Sequence, residues 1–371
     1  MDLVQMTARI AAIDKSYTDA AKERCRKVAK PLDSLGKLEQ TVTKIAGITK
    51  NSDRIVIEPS ALVIMCGDHG VVQEGVTQTD SSVTRIVAYN FTKGKTSVNA
   101  MARVSGTDVF PVDIGMDCEH ADCKEVKPFA LIDRKVARGT KNMAAEAAMT
   151  RKECEEAILI GIDMVRELKE AGYKIIATGE MGIGNTTPSS ALASFMLGEK
   201  VETVTGYGAG LSKDGMERKI HAIKKAILRA NHEGTTPQDP VEVLRQLGGF
   251  EIAGMAGLFL GGAIYRIPVV IDGFISAVSA LMAVSIEPKA VNYILPSHVS
   301  KEPAGQMVLD AMNLKPMITC DMCLGEGTGA IASLPLLKMG LAVYNEMGTF
   351  EDIHVKQYEH YEHENNRKEE Q

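Results

Sequence analysis

Apolar runs and amphipathic stretches alternate along residues 60–345, and the alternation carries most of the fold information in the chain. Residues 61–66 (ALVIMC), 108–114, 174–178, 267–271 and 290–295 are short, nearly continuous hydrophobic runs that end near glycine, aspartate, serine or histidine. Unbroken runs of this length are what parallel strands covered on both faces require. Between them the period changes to that of a helix. Thr150-Arg151-Lys152-Glu153 has the spacing of a capping box and predicts a helix running to Ala171, stopped by Gly172. Residues 212–230 place Ile220, Ile223, Ala226 and Ile227 on one face, with Asn231 as the stop, and residues 329–347 are apolar enough to be buried. Strand and helix in turn predict an α/β protein with a doubly wound, mostly parallel sheet over residues 56–344. Residues 1–55 and about 345–358 fall outside the repeat and are read as a small helical domain built from both chain ends. Residues 359–371 are polar and charged and are read as a disordered tail.

Polar residues stand just past the apolar runs: Asp68 and His69, Asp113, Glu180, Asp272, Ser297 and His298. In open parallel sheets the ligand crevice lies outside the carboxyl ends of the strands, so these residues are candidates for one shared site. The competing reading is that each caps the helix after it.

Composition narrows the function classes. The 371 residues are 45% hydrophobic and 24% charged, as in a soluble globular protein. A formal net charge of −6 with no basic patch argues against nucleic acid as a partner. Lys22 to Lys30 is locally basic, but Leu32, Leu35 and Leu38 follow at helical spacing, which reads as a solvated helix face. The most apolar region, residues 253–284, is broken by Arg266, Pro268 and Asp272 into pieces too short for a span of about 20 residues, so no membrane segment is expected. The start of the chain lacks the basic and apolar regions of a signal peptide, and seven scattered cysteines fit a reducing, cytoplasmic setting. Cys320 and Cys323 form a C-x-x-C, and Cys118 and Cys123 flank His120; without matched pairs these read as ordinary thiols, not a metal site. His354, His360 and His363 lie in or near the polar tail and carry no metal reading.

Two glutamates sit in glycine frames. GEMGIGNTT, residues 179–187, follows an apolar strand and leads toward a helix opening near Ser189. Backbone amides and the helix dipole converge at such a place, which suits a phosphate, and Glu180 puts a carboxylate beside it. The order of glycines is the reverse of the dinucleotide fingerprint G-x-G-x-x-G, and no P-loop Lys-Ser/Thr follows. A tight turn without a ligand is the competing reading. LGEGTG, residues 324–329, frames Glu326 with three glycines immediately before the buried helix. A structural glutamate at a helix N-terminus is the alternative there, but two such frames in one chain favour chemistry, with one carboxylate serving as a general base.

Together these segments, with GDHGV at residues 67–71, resemble the nicotinate-nucleotide:dimethylbenzimidazole phosphoribosyltransferases of cobamide lower-ligand assembly. The segment KPLDSLGKLE at 30–39 is similar to the family's KPPGSLGRLE, and RGTKNM at 138–143, GGFEIA at 248–253 and VIDGFI at 270–275 match further family elements. The resemblance implies a two-domain homodimer, transfer of the phosphoribosyl group of nicotinate mononucleotide to an azole base, and no cofactor or metal. It implies Glu326 as general base and Glu180 as a second glutamate of the site. Gly182, Ile183, Gly184 and Asn185 fall on its ribose-phosphate loop, with Lys219 and Ser297 beside it. Thr77, Ile86, Met181 and Leu324 are expected to contact the base, and Gln78 is a further polar candidate. The 73–82 loop departs from the family in lacking proline, which leaves a relative that activates phenol or p-cresol, paired with a paralogue, as an alternative. A non-catalytic partner subunit and a Rossmann-type NAD-dependent oxidoreductase are the other readings; retention of both glutamates and the missing fingerprint weigh against them.

Overall fold

The computed structural model describes residues 2–119 and 130–359, and the chain divides into two compact units: Met1–Ile13 with Val56–Leu336, and Asp14–Ile55 with Leu337–Gln371. His120 and Cys123, and the expected tail apart from Glu359, lie outside the described residues.

Six parallel strands frame the larger unit. β1 (Ser60–Gly67), β2 (Thr107–Gly115), β3 (Ile132–Asp133), β4 (Ile175–Met181), β5 (Val269–Val270) and β6 (Ile294–Leu295) lie in the order β3-β2-β1-β4-β5-β6. β1 is buried along its whole length, as its unbroken SALVIMCG composition demands. The order reverses direction between β1 and β4, so a crevice opens there at the carboxyl ends. Met65 pairs with Glu180 and Cys66 with Met181, which brings the ends of the two strands level. A separate parallel pair, β7 (His298–Val299) and β8 (Ile318–Thr319), follows β6.

The structure corrects several expectations. Gly179, Glu180 and Met181 are strand residues, not loop, and the helix after them begins at Thr186 (Thr186–Leu197), not near Ser189. The run 290–295 is mostly a 3-10 turn, Pro288–Tyr293, because Pro288 fixes the backbone and the Glu287 side chain caps the turn at the Lys289 amide, 3.1 Å away. The run 267–271 contributes only Val269–Val270 as strand, although the Pro268 carbonyl still accepts from Ile176 at 3.0 Å.

The capping box at Thr150 forms, with the Glu153 carboxylate accepting from the Thr150 amide at 2.7 Å, and it opens the helix Arg151–Glu170. That helix packs against Phe250–Tyr265, whose glycines allow near backbone contact: a Cβ on Gly257 would lie on the Ile158 carbonyl. The apolar region 253–284 is thus spent on two buried helices, Phe250–Tyr265 and Phe274–Ile286. Among the described residues no helix is long and apolar enough to cross a membrane.

In the smaller unit the helix Lys15–Lys27 stops before Lys30, and residues 31–36 form a turn, so Leu32 and Leu35 do not continue a basic helix face. Lys30 instead meets Glu39 of the helix Lys37–Thr49 at 2.7 Å, and Glu39 also accepts from the Leu35 amide at 2.8 Å. The ends of the 30–39 segment close on each other.

Gly257→Val should lower the free energy of unfolding by about 2–3 kcal/mol, read from the urea midpoint, because neither helix can retreat without opening the core. A change below about 0.5 kcal/mol would show that the helix contact is looser than described.

Candidate active site

A cavity of about 320 Å³ opens at the carboxyl ends of β4 and β5, in the larger unit. Its walls come from β4 and the turn after it (Glu180 to Thr186), the 76–79 loop, the 207–211 loop, the start of Phe274–Ile286, and residues 323–326. The two glycine-framed glutamates, remote in sequence, meet in this one cavity.

Their frames touch. A Cβ on Gly325 would fall on Glu180 Oε1, and one on Gly179 would lie 2.7 Å from the Glu326 carbonyl. Only hydrogen at both positions lets the turn carrying Glu326 press against the strand carrying Glu180. Three successive residues of that turn, Gly325, Glu326 and Gly327, have positive φ of 85, 62 and 95°. For glutamate this conformation is strained, by about 1–3 kcal/mol, and persists only where its surroundings impose it. Asp272, just past β5, does the imposing. Its carboxylate accepts from the amides of Gly327 at 3.1 Å, Gly329 at 2.7 Å and Ala330 at 3.2 Å, so it also caps the helix Thr328–Glu346. His298 packs where a Cβ on Gly329 would be, and its Nδ1–H donates to the Val299 carbonyl at 3.0 Å.

Asp272 adds to the proton affinity of both glutamates. Burial pushes Glu180 up from 4.5 to about 8, Asp272 and Glu251 add to the rise, and hydrogen bonds from Asn185 and the Glu326 backbone oppose it. Burial also raises Asp272, against the pull of His298 and the three amides. Glu326 is raised by burial and by Asp272, opposed by the Val98 amide, and its Oε2 is buried without a hydrogen-bond partner. A cavity with these groups is short of positive charge and suits a ligand that brings some.

In the glycine turn after β4, Gly184 has φ of 92° and Gly182 packs against the Gly67 carbonyl. The loop has fewer open amides than its sequence suggests. Ile183 donates to Thr84 Oγ1 at 3.1 Å, Asn185 to the Gly182 carbonyl at 3.1 Å, and Thr187 to Gly184 at 2.9 Å. Lys219 compensates from behind: its Nζ donates to Thr186 Oγ1 at 2.8 Å and to the Gly206 carbonyl at 2.9 Å. Burial lowers that ammonium to about 8, with Glu302 opposing.

Of the residues expected from sequence, Glu180, Glu326, Gly182, Ile183, Gly184, Asn185, Thr77, Met181 and Leu324 line the cavity. Lys219 and Ser297 are buried behind its wall; Ser297 Oγ donates to the Asp272 carbonyl at 3.0 Å. Ile86 does not line it: the helix Ser82–Thr92 turns this side chain outward, 53% exposed. Gln78 lines the cavity and its amide reaches the Gly210 carbonyl, tying two loops across the opening.

The sequence over residues 10–355 matches a family model described as Phosphoribosyltransferase. The chain belongs to this phosphoribosyltransferase family. The nicotinate-nucleotide–dimethylbenzimidazole phosphoribosyltransferase of Acetivibrio thermocellus is 44% identical over 357 residues, spanning 96% of this chain and 99% of its own. That of Ruminiclostridium cellulolyticum is 46% identical over 338 residues, 91% of this chain and 93% of its own. The crystal structure of the Thermus thermophilus enzyme of the same name superposes with a TM-score of 0.85 at 34% identity, covering 93% of this chain and all of that one.

Within the cavity of this family member, sequence reading missed Phe274, Ile275, Tyr207 and Glu302 among the lining residues. It also left Asp272 without a specific role. Asp272 was visible as a polar residue after a strand, but which amides it would hold depends on a segment 55 to 58 residues further along the chain.

Because Glu180 keeps its proton to about pH 8 when folded and to 4.5 when unfolded, its contribution to stability is complete below 4.5 and is lost as pH rises through about 8. Glu180→Gln has no such loss. Its melting temperature should therefore gain on that of the wild type across this window, and parallel curves for the two proteins would contradict the buried, neutral Glu180.

Proposed function

We propose that this chain transfers the phosphoribosyl group of nicotinate mononucleotide to 5,6-dimethylbenzimidazole or a related azole, releasing nicotinate and the α-riboside 5′-phosphate for cobamide assembly. The observation that carries the reading is the meeting of Glu180, Asp272 and Glu326 in one cavity of a family phosphoribosyltransferase. The names of the relatives supply the substrates.

The chemistry suits the charges. The donor has a cationic pyridinium, and positive charge passes to the sugar as the glycosidic bond breaks. Glu180 and Asp272, reluctant to ionise alone, become better anions beside that charge and stabilise it most as the bond is breaking. The C1′–N bonding pair leaves with nicotinate and neutralises its ring, so the leaving group needs no acid. One benzimidazole nitrogen attacks C1′ from the opposite face, which converts a β-nucleotide to an α-riboside. The other nitrogen gives its proton to the carboxylate of Glu326, a residue of the cavity wall. The 5′-phosphate lies at the 182–185 turn and the start of Thr186–Leu197, backed by Lys219 through Thr186.

The acceptor wall combines Met181, Leu324, Phe274 and Ile275 with the polar Thr77 and Gln78. A flat bicyclic azole covers more of this surface than phenol does. Selection by fit is worth about 1–3 kcal/mol per misfitted group, so phenols remain minor acceptors. The exposed thiols of Cys320 and Cys323 fit a cytoplasmic enzyme, and the family resemblance favours a homodimer.

Glu326→Gln should lower kcat by about 10² or more and leave the KM of both substrates nearly unchanged, as loss of a base requires. Near-wild-type kcat would remove Glu326 from that role.

A further inference from the structure

Below the phosphate turn lies a buried polar pair that the reaction itself does not use. His69, two residues past the end of β1, and Glu251, in the first turn of Phe250–Tyr265, meet with Nε2 and Oε1 2.7 Å apart and side chains 1% and 0% exposed. Both are held tightly. A Cβ on Gly249 would fall on the His69 ring, and one on Gly67 would lie 3.1 Å from Glu251 Oε2. The Asp68 carbonyl accepts from Thr140 at 2.9 Å, and the Asp68 carboxylate accepts from the Asp117 amide at 2.8 Å, which fixes the backbone leading into His69.

Stability alone does not account for this arrangement. Glu251 Oε2 is buried with no hydrogen-bond partner, and a buried ion pair seldom outperforms apolar groups of the same volume. Burial by itself would drive His69 toward its neutral form, yet the Glu251 carboxylate, with Asp68, outweighs it and raises the imidazole. The bond is therefore charge-assisted and stiff.

What rests on this stiff pair is the donor loop. The Cβ direction of Gly182 points at the Gly67 carbonyl, His69 Nε2 at 3.4 Å and Asn185 Nδ2 at 3.4 Å, and that of Gly184 passes 3.9 Å from His69 Cβ. Asn185 in turn donates to Glu180. The ring is the floor under the turn that meets the phosphate, and neither His69 nor Glu251 lines the cavity.

We propose that His69 and Glu251 are positioning residues for the donor's 5′-phosphate, the imidazole setting the height of the 182–185 turn and the glutamate locking the imidazole. The role rests on the phosphoribosyl-transfer reading above. It acts on one substrate group, and that separates it from a role in folding.

The test compares nicotinate mononucleotide with nicotinate riboside, which lacks only the phosphate, in wild type, His69→Gln and Glu251→Gln. Glu251→Gln keeps the volume and an acceptor oxygen and weakens the lock from charged to neutral, so it decides the matter even if His69→Gln fails to fold. The expected result is a roughly tenfold rise in KM for the mononucleotide, with kcat, the KM of the base and the KM of the riboside unchanged within about twofold. Equal losses for both donors, or no change for either, would overturn the proposal. Wild-type protein that does not bind the mononucleotide would overturn the substrate reading together with it, whereas normal wild-type binding with unshifted variants overturns the positioning role alone.

Discussion

Three backbone amides converge on the carboxylate of Asp272, and the site depends on that convergence. The amides of Gly327, Gly329 and Ala330 come from the turn and first residues of a long helix, where donors have no intrahelical acceptor. Asp272 satisfies them and in doing so holds Glu326 in a left-handed conformation between two glycines. The cost is threefold: a strained glutamate, a carboxylate buried beside Glu180, and glycines at 179 and 325 that have no side chain to pack. What it secures is a second glutamate in the wall of the same cavity as the first.

The topology explains why the chain shares a strand order with dinucleotide-binding proteins and does not share their loop. The order β3-β2-β1-β4-β5-β6 places a switch point between β1 and β4. The dinucleotide fingerprint belongs after the first strand of such a sheet. Here β1 ends in Asp68 and His69 and enters a 3-10 turn, Gly70–Glu74, while the glycine turn follows β4. In the proposed function the place for an anion therefore lies across the switch point, with the residues after β1 packed against it.

Much of this was legible in the chain because it is local. The unbroken apolar runs of β1 and β4 required burial on both faces, Thr150 and Glu153 announced a helix, and glycine around Glu180 and Glu326 announced close approach. The remainder was not legible because it depends on distant partners. Nothing near Ile86 records that its helix turns it outward, and nothing near Lys219 records that its ammonium donates hydrogen bonds to Thr186 and Gly206. The GGFEIA segment showed that something was specified around Glu251, but only the fold brings it to His69. Strand boundaries failed where a proline intervened, as at Pro288, since hydrophobicity there serves a buried turn instead of a ladder.

In the proposed function Glu180, Asp272 and Glu326 join a phosphate turn in one site that moves a phosphoribosyl group from a pyridinium to an azole. Product analysis tests it most directly: nicotinate mononucleotide is incubated with equimolar dimethylbenzimidazole, adenine and phenol, and the ribosides are identified by mass and by the NMR configuration at C1′. The predicted outcome is one nicotinate released per riboside, with the α-riboside phosphate of dimethylbenzimidazole dominant. A β-configured product, a phenolic riboside in majority, or turnover without nicotinate release would contradict it.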